Sequence, residues 1–137
     1  MALTHLLDSS VLTRLRHPVI RRVIESGAER GELARAGISD LEIGYSARSA
    51  PEWDQLLQAL DVFELVETTA DHLRRARQVQ RLLASTHQRG RKIPDLLIAA
   101  AAESRSLTVL HYDADFDRIA AVTGQPCHWV VPAGSVD

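Results

Sequence analysis

Short apolar runs alternate along the chain with longer stretches whose apolar positions recur at helical spacing. Residues 3–7 are one such run, ending at Asp8, and predict a strand. Residues 9–16 predict a short helix, stopped by Pro18, whose ring cannot continue the hydrogen-bond ladder. Val19, Ile20, Val23 and Ile24 set the period of a second helix over residues 19–30, with Gly27 and Gly31 near its end. Residues 33–38 predict a second strand, weakened by its Ala-Arg-Ala centre. Ser39-Asp40-Leu41-Glu42 has the form of a capping box and opens a helix to about Arg48. Pro51 starts another helix, with Trp53, Leu56, Leu57 and Leu60 on one face as candidate core or partner surface.

Residues 64–67 predict a third strand. Thr68 or Thr69 then caps a long helix reaching about His87, with Leu73, Ala76, Leu82 and Leu83 inward. A polar loop over residues 88–92 follows, and Pro94 begins the helix over residues 95–105. Residues 107–111 predict a fourth strand, residues 113–123 a helix ended by Gly124, and residues 127–131 a fifth strand before a loose tail. Strands and helices in this order predict an α/β fold, a parallel sheet with helices on both faces. With no repeat, linker or low-complexity segment, residues 1–137 read as a single domain.

Open parallel sheets bind ligands beyond the carboxyl ends of their strands, so acids at those positions matter most. Asp8 follows the first strand and Asp113 the fourth. Glu42 lies in the first turn of the helix after the second strand, and Asp95 in the first turn of the helix before the fourth. Asp115, two residues past Asp113, can turn inward too. Taken singly, each has an ordinary role as a helix cap or as a negative charge at a helix N-terminus, worth about 0.5–2 kcal/mol. Taken together, the topology brings them to one edge. Carboxylates gathered there repel, and a hard dication such as Mg²⁺ or Mn²⁺ relieves that repulsion. A cation held by carboxylates suits hydrolysis of a phosphodiester.

Composition limits the alternatives. The 137 residues carry a net charge of −2, so any attraction for nucleic acid has to be local. Arg74, Arg77 and Arg81 share a helical face with Arg75 beside it; Arg74 and Arg75 read as solvated, whereas Arg91 and Lys92, the only lysine, precede Asp95 and are better candidates for substrate phosphates. Cys127 is the one cysteine, so no internal disulfide forms and the thiol reads as buried. The six histidines form no HxH or HExxH pattern, which disfavours zinc, and His5 and His128 read as packed. No signal peptide or membrane span is legible, and the expected location is cytoplasmic.

Four segments resemble the PIN-domain nucleases: Leu6-Leu7-Asp8-Ser9-Ser10-Val11-Leu12, Ser39-Asp40-Leu41-Glu42, the run from Ile93-Pro94-Asp95 to Ala102, and Tyr112-Asp113-Ala114-Asp115-Phe116-Asp117. They span nearly the whole chain in family order, and its length resembles the VapC-type toxins of bacterial toxin–antitoxin pairs. The resemblance implies a three-layer α/β/α fold with strand order 3-2-1-4-5. It implies an acidic quartet of Asp8, Glu42, Asp95 and Asp113 around Mg²⁺ or Mn²⁺, with Asp115 joining the metal shell. It further implies endonucleolytic cleavage of RNA, a homodimer, and a small antitoxin partner whose tail fills the site. Among other aspartate-based sheets, a haloacid dehalogenase-type phosphatase needs an acid where Ser10 stands, and a receiver domain needs a lysine after its last strand. A non-catalytic assembly module of the same fold remains the alternative, disfavoured by the complete acidic set.

Overall fold

A computed structural model describes residues 2–87 and 92–137. Its strands are β1 (His5–Leu7), β2 (Leu33–Ala36), β3 (Glu64–Val66), β4 (Thr108–His111) and β5 (Cys127–Trp129). They form one five-stranded sheet in the order β3-β2-β1-β4-β5, and every neighbouring pair is parallel. Parallel neighbours need long crossovers, and helices supply them: α1 (Ser9–Leu12), α2 (Pro18–Glu29), α3 (Gly37–Gly44), α4 (Ala50–Ala59), α5 (Ala70–Ser85), α6 (Ile93–Ser104) and α7 (Asp115–Thr123). This is the expected three-layer arrangement.

Successive strand residues face opposite sides, and each side has its own core. Leu6, Ala34 and Val109 are in register and pack with Ile98, Phe116 and Ile119 under α5, α6 and α7. Leu7, Leu33 and Leu110 face the other way, onto Val11, Ile20, Ile24 and Phe63. Leu6 and Leu7 are fully buried, so β1 is clamped from both faces. The Ala-Arg-Ala centre of β2 follows from the same geometry. Ala34 and Ala36 are fully buried on the side of α6, whose run from Leu96 to Ala102 is also buried. Small side chains there allow close packing.

Arg35 points the opposite way and is buried. It forks onto Asp40 at 2.8 and 3.4 Å and donates to the backbone oxygens of Leu60, at 2.9 Å, and Phe63. One guanidinium thereby ties β2, α3 and the segment entering β3.

Several local expectations need correction. The second strand ends at Ala36 rather than residue 38, and α3 starts directly at Gly37 with no side-chain cap. Ser39 is therefore inside the helix, fully buried, and is not the partner of Glu42 in a capping box. The helix after β4 begins at Asp115, leaving Asp113 in the connecting turn. Thr69 caps α5 reciprocally with His72, and this sets the helix phase: His72, Ala76, Val79 and Leu83 point inward, whereas Leu73 is exposed. His72 takes the inward position because its Nε2 reaches Ser104 Oγ at 2.9 Å. On α4, Trp53 is exposed and Leu56 and Leu57 are half-buried, so only Leu60, just past the helix, is core. His128 is exposed on the edge strand β5.

Replacing Arg35 with alanine strands a half-buried Asp40 and two buried carbonyls. The Arg35→Ala protein is expected to lose about 3 kcal/mol of stability, read as a lower urea midpoint in denaturation followed by circular dichroism.

Candidate metal centre

The parallel sheet presents the carboxyl ends of β1 and β4 side by side. Asp8 leaves β1 and caps α1, its Oδ2 accepting from the Ser10 N–H at 3.0 Å. Asp113 lies two residues past the end of β4, and its Oδ1 accepts from the Asp115 N–H at 2.9 Å. Asp95 arrives from the first turn of α6. Each of these three offers a carboxylate oxygen within 4.8 Å of the others. Asp8 and Asp95 are buried and Asp113 half-buried. They line a cleft of about 530 Å³ together with Glu42, Lys92 and Tyr112.

For Asp8 and Asp113 the capping role and the convergence hold together, since each still bonds its own helix or turn. Asp95 differs. Its helix has Lys92 at the cap position with no side-chain cap bond, and Asp95 Oδ2 is buried without a hydrogen-bond partner among the described residues. A buried, unpaired carboxylate oxygen is costly, so capping does not account for it. A hard cation between the three acids would supply the missing partner.

Electrostatics follow from the crowding. Burial, then the charges of Asp8, Asp113 and Asp115, push Asp95 up to about 8 against the pull of Lys92. Burial also raises Asp8, with Asp113 adding to it and hydrogen bonds from Ser10 opposing it. Glu42 is raised by burial and by Asp8, although the Ser9 hydroxyl donates to its Oε1 at 2.7 Å. Asp113 goes the other way: burial pushes it up, but Lys92, whose Nζ lies 2.6 Å from Oδ2, and the Asp115 N–H outweigh that and hold it down. The site thus divides into acids held toward the protonated form and one held ionised by a lysine.

Of the remaining sequence candidates, Glu42 lines the cleft but lies outside the three-acid cluster. Asp115 also lies outside that cluster, contributing its charge to Asp95 and pairing with Arg118 at 3.3 Å. Arg91 falls outside the described residues. Arg75 does not simply point to solvent, since it forks onto Glu103 at 2.7 and 3.1 Å and ties α5 to α6. Cys127 is half-buried, and burial raises its thiol to about 11, which keeps it unreactive.

Sequence reasoning missed three supporting contacts. Ser9 steers Glu42, and Ser10 Oγ accepts the Tyr112 N–H at 2.8 Å, joining the ends of β1 and β4. Their adjacency to Asp8 in Asp8-Ser9-Ser10 was the available signal. His111 is fully buried between Phe116 and Trp129, each ring 5.0 Å away, and its Nδ1 accepts the Asp113 N–H at 3.2 Å. Burial lowers it to about 4, so it is neutral and fixes the Asp113 backbone without adding charge. No local pattern signals that contact.

Several known proteins resemble this chain. The PIN domain family matches residues 5–122. Ribonuclease VapC51 of Mycobacterium tuberculosis is 64% identical over 137 residues, covering 100% of both chains. Ribonuclease VapC21 of the same organism is 45% identical, covering 98% of this chain and 99% of that protein. Among solved structures, DNA-bound VapBC from Salmonella typhimurium has a TM-score of 0.77 at 18% identity, covering 94% of this chain and 99% of that one. The VapBC-5 toxin–antitoxin structure from Mycobacterium tuberculosis has a TM-score of 0.59 at 27% identity, covering 93% and 96%.

The raised acids predict an unusual pH dependence. An unfolded aspartate ionises near its ordinary value of about 4, while Asp95 in the fold stays protonated up to about 8. Below that window neither state is ionised there; within it only the unfolded state releases the proton, so stability falls as pH rises, and above it the loss is complete. In EDTA, the melting temperature should therefore fall between about pH 4 and about pH 8, and Asp95→Asn should flatten the fall. Added Mn²⁺ should restore stability most at the alkaline end, where ligands are easiest to deprotonate. Differential scanning fluorimetry across pH reads all three.

Proposed function

The chain belongs to the PIN-domain family, and on that footing we propose that it is a metal-dependent endoribonuclease, the toxin member of a toxin–antitoxin pair. The observation that carries the reading is the convergence of Asp8, Asp95 and Asp113, with one buried Asp95 oxygen left without a protein partner. Only carboxylate oxygens are offered, which suits Mg²⁺ or Mn²⁺ rather than a softer metal. Bound there, the ion would supply Lewis acidity for the phosphate and make its water more acidic.

The chain's own residues divide the remaining work. Asp8, Asp95 and Asp113 hold the ion, and Asp115 adds negative charge behind Asp95. Glu42, oriented by Ser9 and raised by burial and Asp8, takes the proton from the attacking water. Lys92 holds Asp113 ionised and stands at the cleft, where it contacts a substrate phosphate, with Arg91 beside it in sequence. The substrate is RNA, as the names of the ribonuclease relatives suggest. The toxin–antitoxin neighbours support an antitoxin as partner, and a homodimer in the cytoplasm completes the proposal. Among the described residues no helix is long and apolar enough to cross a membrane, which is compatible with that location.

The purified chain is expected to cut single-stranded or looped RNA internally when Mg²⁺ or Mn²⁺ is added, and EDTA should stop it. Removing even a group that only orients a metal ligand costs about 10–100-fold, so Asp95→Asn should lower the cleavage rate by at least about a hundredfold while circular dichroism stays native. Undiminished cleavage by that folded variant would refute the assignment of Asp95. Expressed alone, the wild-type chain should arrest growth, and coexpression of the small gene product encoded beside it should restore growth in a plate assay.

A further inference from the structure

Arg14 lines the same cleft as the acids, on the turn that follows α1. Three contacts hold it. Its Nη1 donates to the Ser10 backbone oxygen at 2.8 Å, its Nε donates to the Asp137 backbone oxygen at 2.9 Å, and its Cζ lies 4.9 Å over the Tyr112 ring. Ser10 is the residue whose N–H bonds Asp8, and Tyr112 immediately precedes Asp113. The guanidinium is therefore fixed beside the acid cluster by the segments that position it.

Part of its fork is open: among the described residues Nε and Nη1 are bonded, to the Asp137 and Ser10 oxygens, and Nη2 faces the cleft side unbonded. Among the described residues no side-chain carboxylate pairs with Arg14, whereas Arg35, Arg75 and Arg118 are each paired with an acid. Lys92, the other cation lining the cleft, is already bonded to Asp113. A polyanion approaching a chain of net charge −2 needs a local cation. A guanidinium already immobilised loses little freedom on taking a phosphate, and its fork suits that geometry.

We propose that Arg14 forms a phosphate subsite, holding the RNA phosphodiester next to the one that is cut. The inference rests on the nuclease reading for its substrate, but its test is a binding measurement. The purely structural role for Arg14 would be to fasten residues 132–137 onto the turn. Tyr112 shares that role, because its hydroxyl donates to the Val136 oxygen at 2.7 Å and accepts the Val136 N–H at 3.1 Å.

Fluorescence anisotropy of a short single-stranded RNA, titrated at several KCl concentrations and fixed Mg²⁺ in the non-cleaving Asp95→Asn background, separates these roles. Arg14→Ala should weaken binding on the order of tenfold and make the salt dependence shallower by about 0.7 in slope, one single-strand phosphate contact. Arg14→Lys should keep the slope, and Ser135→Ala, which removes the hydroxyl bond closing the turn of the tail onto the Pro132 oxygen but touches neither the guanidinium nor the cleft, should leave binding unchanged. An unaltered slope in Arg14→Ala overturns the proposal, as does the same loss in Ser135→Ala or a background protein that binds no RNA. A wild-type chain that binds with the expected slope yet cuts nothing would sink the nuclease reading alone.

Discussion

Like charges buried side by side are the constraint on which the rest of this structure turns. Asp8, Asp95 and Asp113 sit within 4.8 Å of one another, two of them buried. Water cannot dilute their repulsion, and protonation or a cation has to relieve it. The fold does not let them separate. Asp8 is fixed by a strand clamped between two cores and by its bond to Ser10. Asp113 is held by Lys92, by the Asp115 N–H and, through its backbone, by His111. Asp95 rides on a helix whose following seven residues are all buried. Such rigidity is costly in a protein with nothing to bind and useful in one that must present oxygens to a cation in fixed geometry.

The all-parallel sheet is what makes the gathering possible. Parallel strands send all their carboxyl ends to one edge, so residues separated by a hundred positions, such as Asp8 and Asp113, become neighbours. The same arrangement feeds helix N-termini toward that edge. Their partial positive charge eases the crowding of the acids without removing it, and burial with the neighbouring acids still pushes Asp95 up. Basic groups then matter by position rather than number. Lys92 holds Asp113 ionised and pulls Asp95 and Glu42 down as well, Arg35 and Arg75 tie elements together away from the cleft, and Arg14 stands in the cleft with part of its fork open.

Strands, helices and their order were legible because apolar spacing reports burial directly. The strand order and the placing of four acids on one cleft were legible through the resemblance of segments around Asp8, Glu42, Asp95 and Asp113. What was not legible depended on side chains choosing distant partners. Ser39 looked like a cap, but β2 ends early enough for α3 to start at Gly37 and swallow it. Leu73 looked inward until His72 found Ser104 across the interface with α6. Glu42 is oriented by Ser9 from another element, and His111 fixes the Asp113 backbone only because its ring is packed between Phe116 and Trp129. The tail over residues 132–137 read as loose, yet Val136 and Asp137 bond Tyr112 and Arg14.

The most direct test of the account is a crystal of this chain soaked in Mn²⁺ and measured at a wavelength where manganese scatters anomalously. The account predicts an anomalous peak among the carboxylates of Asp8, Asp95 and Asp113, with Asp95 Oδ2 among the ligating oxygens. A well-ordered cleft in saturating Mn²⁺ with no peak there, or with the ion bound only elsewhere, would contradict it.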